Sequence, residues 1–241
     1  MASNKPTIIK MSAPLGVAAW PKLTAPDYGN NTFPKPEGEY SVKMLWKTDD
    51  PDFIEFKEAL EAYMPAVEAM ANQKFSELKK PQRDKLGAPS QNPLFSIVYD
   101  KDDEPTGDIE AKFTMRASGI VKKGPREGQT WKRHPALFDA FGRPFKKGID
   151  IWGGSELVIA FSFQEDGYFI PGTGSYGIKL QLEAAQVVTL RQGGEQSAAA
   201  FGFGKHEGGF DVSSYADADD DDEGGDQASD EDVAGTAGAD Y

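Results

Sequence analysis

Five stretches of the chain alternate apolar and polar residues with the period of a half-buried strand. Over residues 38–46, Tyr40, Val42, Met44 and Trp46 fall on one face, with Ser41, Lys43 and Leu45 on the other. Over residues 108–117 the inward set is Ile109, Ala111, Phe113, Met115 and Ala117, and the outward set is Glu110, Lys112, Thr114 and Arg116. Residues 94–99 read as a short strand that pairs with it as a hairpin across the polar loop 100–107. Residues 155–163 place Leu157, Ile159, Phe161 and Phe163 on one face. The stretch 177–190 starts with Ile178, Leu180 and Leu182 alternating against Lys179, Gln181 and Glu183, then breaks at a bulge near Ala184-Ala185.

A helical period interrupts the strands. Asp49 or Asp50 can cap it and Pro51 suits its first turn. Ile54, Leu60, Val67, Met70 and Leu78 recur at helical spacing up to Lys80, and Pro65 kinks the helix or splits it in two. Five strands with one inserted helix predict a mainly β protein, a single five-stranded barrel of the OB-fold type. A small β-sandwich has a similar parts list.

The alternation ends near residue 192, where the expected domain 1–192 gives way to a second segment, 193–241. Gly193-Gly194, the alanines 198–200 and Phe201-Gly-Phe-Gly read as a linker, and residues 217–232 as an acidic block. Too little apolar surface is present there to offset the entropy of ordering, so the sequence predicts a disordered tail.

Charge sharpens this division. The chain of 241 residues carries a formal charge of −13. The last base is Lys205, and 13 of the 39 acidic residues lie beyond it, which leaves 26 acids against 26 bases in the body. The whole net charge belongs to the tail. There are no cysteines, which excludes disulfides, thiolate metal sites and cysteine nucleophiles and fits a reducing cytoplasm. No run of eighteen apolar residues predicts a membrane span, and the N-terminus lacks the apolar stretch of a signal peptide.

The neutral body is uneven. Residues 112–147 hold ten bases, Lys112, Arg116, Lys122, Lys123, Arg126, Lys132, Arg133, Arg143, Lys146 and Lys147, opposed by Glu127 and Asp139. Trp131, Phe138, Phe141 and Phe145 stand among them. Cations pair with phosphates and flat rings stack on unpaired bases, so this interleaving is what holding a single strand requires. Duplex binding needs the charge but not the rings. The alternative is a solvated region whose aromatics belong to the core. Tyr168, Phe169 and Tyr176 form a second aromatic group between the last two strands, a connection that borders the binding face of an OB-fold.

Other motifs fail on context. Gly172-Thr-Gly-Ser-Tyr-Gly177 matches the dinucleotide-binding glycine pattern, but a strand follows where that motif needs a helix. A calcium loop beginning at Asp217 would need glycine and glutamate where Asp222 and Ala228 stand. His134 is a lone histidine in a basic loop, and no nucleophile, zinc or phosphate-loop signature is present. The reading is a binding protein, not an enzyme, with no metal or cofactor.

Four segments, in order, resemble the single-stranded DNA-binding proteins of T7-type phages. They are Ala25-Pro-Asp-Tyr-Gly-Asn30 with Gly38-Glu-Tyr-Ser-Val42; Asp139-Ala-Phe-Gly-Arg-Pro-Phe145 with Ile151-Trp-Gly-Gly-Ser155; Gly177-Ile-Lys-Leu-Gln-Leu-Glu183 with Val187-Val-Thr-Leu190; and an acidic tail ending in Tyr241. The resemblance implies an OB-fold, single-strand binding in phage replication and recombination, no cofactor, a homodimer, and a tail that contacts the phage polymerase and helicase–primase. It makes Tyr168 the nearest match to that family's DNA-binding tyrosine. Glu37 stands where the family has a DNA-contacting arginine, with Lys35 two residues earlier. The expected DNA-binding set is therefore Lys35, Tyr168 and Phe169 with the ten bases and Trp131. The expected partner-binding set is Asp219, Asp220, Asp221, Asp222, Glu223, Asp230, Glu231, Asp232, Asp240 and Tyr241. The rival reading is an acidic-tailed chaperone or DNA mimic, in which the polyanion itself binds basic partners.

Overall fold

The inward rows read from the sequence meet inside a closed ring of strands. The computed structural model describes residues 6–146 and 148–191. Lys147, the linker and the acidic tail, with all of its expected partner-binding residues and the 192/193 boundary, lie outside the described residues.

In chain order the elements are β1 (Ile8–Ser12), β2 (Gly16–Gly29), β3 (Pro34–Lys47), α1 (Pro51–Glu61), α2 (Met64–Ser76), α3 (Lys80–Leu86), β4 (Ser90–Gln91), β5 (Ser96–Tyr99) and β6 (Pro105–Arg116). They continue with β7 (Ser118–Ile120), β8 (Thr130–Lys132), β9 (Ala136–Phe138), β10 (Glu156–Gln164), β11 (Tyr168–Ile170), β12 (Ser175–Gly177) and β13 (Gln181–Thr189). The ring runs β2-β3-β6-β13-β10 and returns to β2 through the pairs Glu156–Val17 and Leu157–Gly16. All its contacts are antiparallel except β6 with β13, which meet in parallel at Thr114 and Gln181. A five-stranded barrel with an inserted helical segment is the architecture expected, and closure removes the exposed edges an open sheet would have.

The membership of the ring differs from expectation by one strand. Residues 94–99 do pair with β6 as a hairpin, but β5 lies outside the ring. Its place is taken by β2. That strand carries Pro21 and Pro26 and shifts register three times against β3, so no steady alternation marks it. The bulge expected near Ala184-Ala185 is at Glu183: Ala184 pairs with Ala160 and Leu182 with Phe161, which leaves Glu183 unpaired.

The helical stretch is three helices. Asp50 is the cap, and its carboxylate accepts from the Asp52 and Phe53 backbone N–H groups at 2.9 and 3.4 Å. Pro65 sits in the first turn of α2, where its missing N–H costs nothing, so it starts a second helix and does not kink the first. The buried positions are Phe53, Phe56, Leu60, Val67 and Ala71, and Ile54 of the expected stripe is exposed. Phe53 stacks on Trp46 at 5.4 Å, and Phe56 meets the edge of Phe161 at 5.9 Å, so α1 is joined to the barrel interior by aromatic contact. No helix among the described residues is long and apolar enough to cross a membrane.

Candidate nucleic-acid interface

The outward rows of β3 and β6 form a ladder of directly opposed residues: Glu39 with Arg116, Ser41 with Thr114, Lys43 with Lys112, Leu45 with Glu110, and Lys47 with Asp108. Two lysines face each other in the centre, and carboxylates relieve them. Lys43 meets Glu110 at 2.7 Å and Lys112 meets Glu39 at 3.6 Å. Lys47 meets Asp108 at 2.6 Å, and Arg116 meets Glu37 at 2.8 Å. The cations of this face are therefore already matched.

Lys35 is matched twice, to Asp27 at 2.7 Å and to Glu39 at 2.9 Å. The hydrogen bond from Lys35 holds the Asp27 carboxyl below its usual range. Burial alone would raise the Glu39 carboxyl, but the Lys35 hydrogen bond and the charges of Lys112, Lys35 and Lys179 outweigh it and leave the group below its usual 4.5.

Beside this face, β6, β11, the segment before β5 and residues 178–180 enclose a hollow lined by Tyr168, Ile170, Leu94, Lys112, Thr114 and Lys179. The Tyr168 hydroxyl accepts from the Asn92 side-chain amide at 2.7 Å, which orients the ring in the hollow. Phe169 and Tyr176 form the facing pair of the same hairpin. Tyr176 is buried and Phe169 packs against the core, so of the three rings Tyr168 is the one offered to a ligand. The glycine-rich loop joins β11 to β12, as its rejection as a dinucleotide motif requires.

The ten-base stretch is divided among three places. Lys112 and Arg116 belong to the matched ladder. Lys122, Lys123, Arg126, Lys132 and Arg133 belong to the β7–β8 hairpin and its root. Among the described residues none of these five has a carboxylate partner. The hairpin springs from the end of the ladder, where the Ala117 N–H donates to the Gly38 carbonyl and the Ser118 hydroxyl to the Glu37 carbonyl. Arg133 donates from Nε to the Arg116 carbonyl at 2.9 Å. Burial first, and then the charge of Arg116, push its guanidinium below its usual value, against the opposing charge of Glu183.

Trp131 is half-buried rather than presented. It lies over Gly119, where a Cβ would come within 2.6 Å of the ring, and the Arg133 guanidinium covers it at 5.1 Å. The third place is the turn after β9. There Asp139 takes the Arg143 side chain at 2.7 Å, and the guanidinium lies 5.1 Å from the Phe141 ring. Lys146 is exposed nearby, lining a separate hollow with Phe138 and Phe145. None of these residues lines the Tyr168 hollow. Sequence reasoning missed Lys179, which lines the hollow, and Asn92, whose amide holds the Tyr168 hydroxyl.

A family model described as "Single-stranded DNA-binding protein, Bacteriophage T7" matches residues 16–190. No curated protein sequence matches the chain. Among solved structures, gp2.5, a single-stranded DNA-binding protein encoded by bacteriophage T7, is 23% identical with a TM-score of 0.58, covering 85% of this chain and 98% of that one. The single-stranded DNA-binding protein of bacteriophage Enc34 in complex with ssDNA is 12% identical with a TM-score of 0.45, covering 77% and 88%. With its barrel closed, its Tyr168 hollow on the β3–β6 face and the family pattern running through all five barrel strands, this chain belongs to the T7-type phage single-stranded DNA-binding protein family.

Proposed function

We propose that the protein coats the single strands exposed during phage DNA replication and recombination in the infected host's cytoplasm. It works as a homodimer of 1–192 bodies and recruits the phage DNA polymerase and helicase–primase through residues 193–241. The family is one of binders, not enzymes. One observation carries the binding half of this reading: a hairpin whose cations have no carboxylate partner among the described residues, rooted at the end of the β3–β6 ladder, and a hollow on that ladder that presents Tyr168. Phosphates follow the cations and a base stacks on the ring, without sequence readout. The rival, a polyanion that binds basic proteins, is favoured by the tail alone.

Titration with labelled poly-dT and with the matching duplex separates the two readings. Single strands should bind more tightly, since paired bases cannot supply the stacking of about 1–3 kcal/mol per base. Tyr168→Ala should weaken poly-dT binding and leave its salt dependence unchanged, because it removes a ring and no charge. Equal affinity for strand and duplex would contradict the reading.

Glu39→Gln should tighten poly-dT binding severalfold at low salt. The carboxylate holds Lys35 and Lys112, and a phosphate must compete with it for both. Its pKa is lowered in the fold, so its contribution to stability is present above the usual glutamate value and is lost as pH falls through the lowered one. The variant should therefore lose part of the parent's acid sensitivity in a pH-dependent unfolding series. An unchanged affinity would mean that the ladder does not meet the strand.

The tail imitates a short strand: 13 carboxylates and a ring, Tyr241, on the same chain as the cations. Tethering brings its local concentration towards about millimolar, enough for a weak contact to compete with DNA. Truncation after Lys205 should tighten poly-dT binding, most at low ionic strength where screening is least, and should abolish partner recruitment. Affinity that stays level or falls on truncation would rule out the competition.

A further inference from the structure

Two tryptophans on the opposite flank of the ladder have no part in the function so far described. Trp20 is 82% exposed and Trp152 is 53% exposed. Between Ala19, which faces Lys43, and Lys22, which faces Ser41, β2 has two residues, Trp20 and Pro21, against the single Val42 of β3. The extra residue makes a bulge, and Trp20 sits in it at φ 50. A bulky side chain in left-handed backbone is unfavourable, and a bare indole in water adds to the cost. A bulge that re-aims a side chain at this expense is a feature of binding sites.

Trp152 is held from three sides. Its N–H donates to the Arg191 carbonyl at 3.3 Å, and its carbonyl accepts from Ser155 at 3.2 Å across a turn. Gly154 occupies that turn at φ 88, with the Arg191 side chain lying where a Cβ would be, and its N–H donates to the Ala18 carbonyl of β2 at 2.8 Å. The turn is thus bolted to the strand that carries Trp20.

Both rings line one hollow with Lys22, Leu45, Asp150 and Arg191. Lys22 and Arg191 have no carboxylate partner among the described residues, and Asp150 accepts from the Thr24 hydroxyl at 3.1 Å. The hollow is continuous with the ladder. Leu45 and Lys43 are alternate outward residues of β3, and Lys43 lies opposite Lys112 in the Tyr168 hollow. Three adjacent strands, spaced about 4.8 Å apart, separate one aromatic flank from the other.

We propose that Trp20 and Trp152 form a second stacking platform for single-stranded DNA, so that the strand crosses β6, β3 and β2 from Tyr168 to the tryptophans, with its phosphates on Lys22 and Arg191 at the far end. This rests on the reading of the chain as a single-strand binder. Flat rings beside unmatched cations suit unpaired bases joined by phosphates, and the shared outward face connects the two flanks.

The test uses the full chain, a labelled poly-dT oligonucleotide and a salt series. Trp20→Ala and Trp152→Ala should each weaken binding about fivefold or more with the salt slope unchanged. Trp20→Phe and Trp152→Phe keep a ring and should retain most of the affinity, while each sheds part of the tryptophan quenching that poly-dT causes in the parent. Lys22→Ala and Arg191→Ala should instead flatten the slope. If an alanine variant fails to fold, the phenylalanine pair decides: quenching equal to the parent's in both overturns the platform. Alanine variants that fold and bind like the parent overturn it too, and leave the single-strand reading intact. A change of oligomeric state at unaltered DNA affinity would overturn it in favour of a subunit contact. A parent that does not bind poly-dT would refute the single-strand reading itself.

Discussion

Replacing Lys122, Lys123, Arg126 and Lys132 together by alanine should lower affinity for poly-dT by about two to three orders of magnitude at 0.1 M salt. The loss should shrink steadily as salt rises. Each phosphate neutralised contributes about −0.7 to the slope of log affinity against log salt, so four lost contacts flatten the slope by about 3. The ladder cations cannot make the same contribution. Lys43, Lys47, Lys112 and Arg116 already have carboxylate partners within 4 Å, and a phosphate that displaces one carboxylate releases little net counterion. The hairpin cations carry no such partner among the described residues. The comparison variant is Arg143→Ala, whose guanidinium is committed to Asp139 at 2.7 Å and should leave the slope nearly unaltered. A hairpin variant with the parent's slope would move the phosphate track elsewhere. Folding should be unaffected, because these four side chains are exposed.

Phe161→Ala should destabilise the fold by about 3–5 kcal/mol, a large share of the roughly 5–15 kcal/mol by which domains are stable. Phe161 is 1% exposed and lies on β10 at the meeting of helix and barrel. Its ring centroid is 5.1 Å from Phe113 on β6, 5.9 Å from Phe56 on α1 and 6.1 Å from Phe163. Truncation would leave a cavity bounded by three different elements, none of which can collapse into it without breaking strand register. For a body of this size the melting temperature should drop by about 6–20 °C. DNA affinity measured well below that temperature should persist, since neither the Tyr168 hollow nor the hairpin includes Phe161. A shift of only a degree or two in a thermal melt would show that the aromatic cluster does not hold the helix to the barrel.

Much of the fold was legible because its signals are local. Alternation with period 2 identified the inward rows Tyr40 to Trp46, Ile109 to Ala117 and Leu157 to Phe163, and the pairing of residues 94–99 with β6 followed from a short polar loop. Asp50 and Pro51 announced the start of α1 by chemistry confined to one turn. The charge division at Lys205 needed only counting. The first barrel strand was not legible. Two prolines and a bulge at Trp20 erase its period, and its place in the ring is completed by β10, far along the chain from its own signals.

The site divides in the same way. Composition alone marked residues 112–147 as basic and aromatic, and that stretch does contain the hairpin whose cations have no carboxylate partner among the described residues. Which of its ten bases are free was a tertiary outcome. Lys112 is spent on Glu39, and Arg116 on Glu37, because β3 and β6 lie antiparallel in one particular register. Trp131 and Phe169 turn towards packed surfaces, while Trp20 and Trp152 are left in water. A residue type sets what a side chain can do. Its partner is set by strand register, because residues tens of positions apart come within 4 Å only when the strands pair, and a shift of one position would send each side chain to the other face.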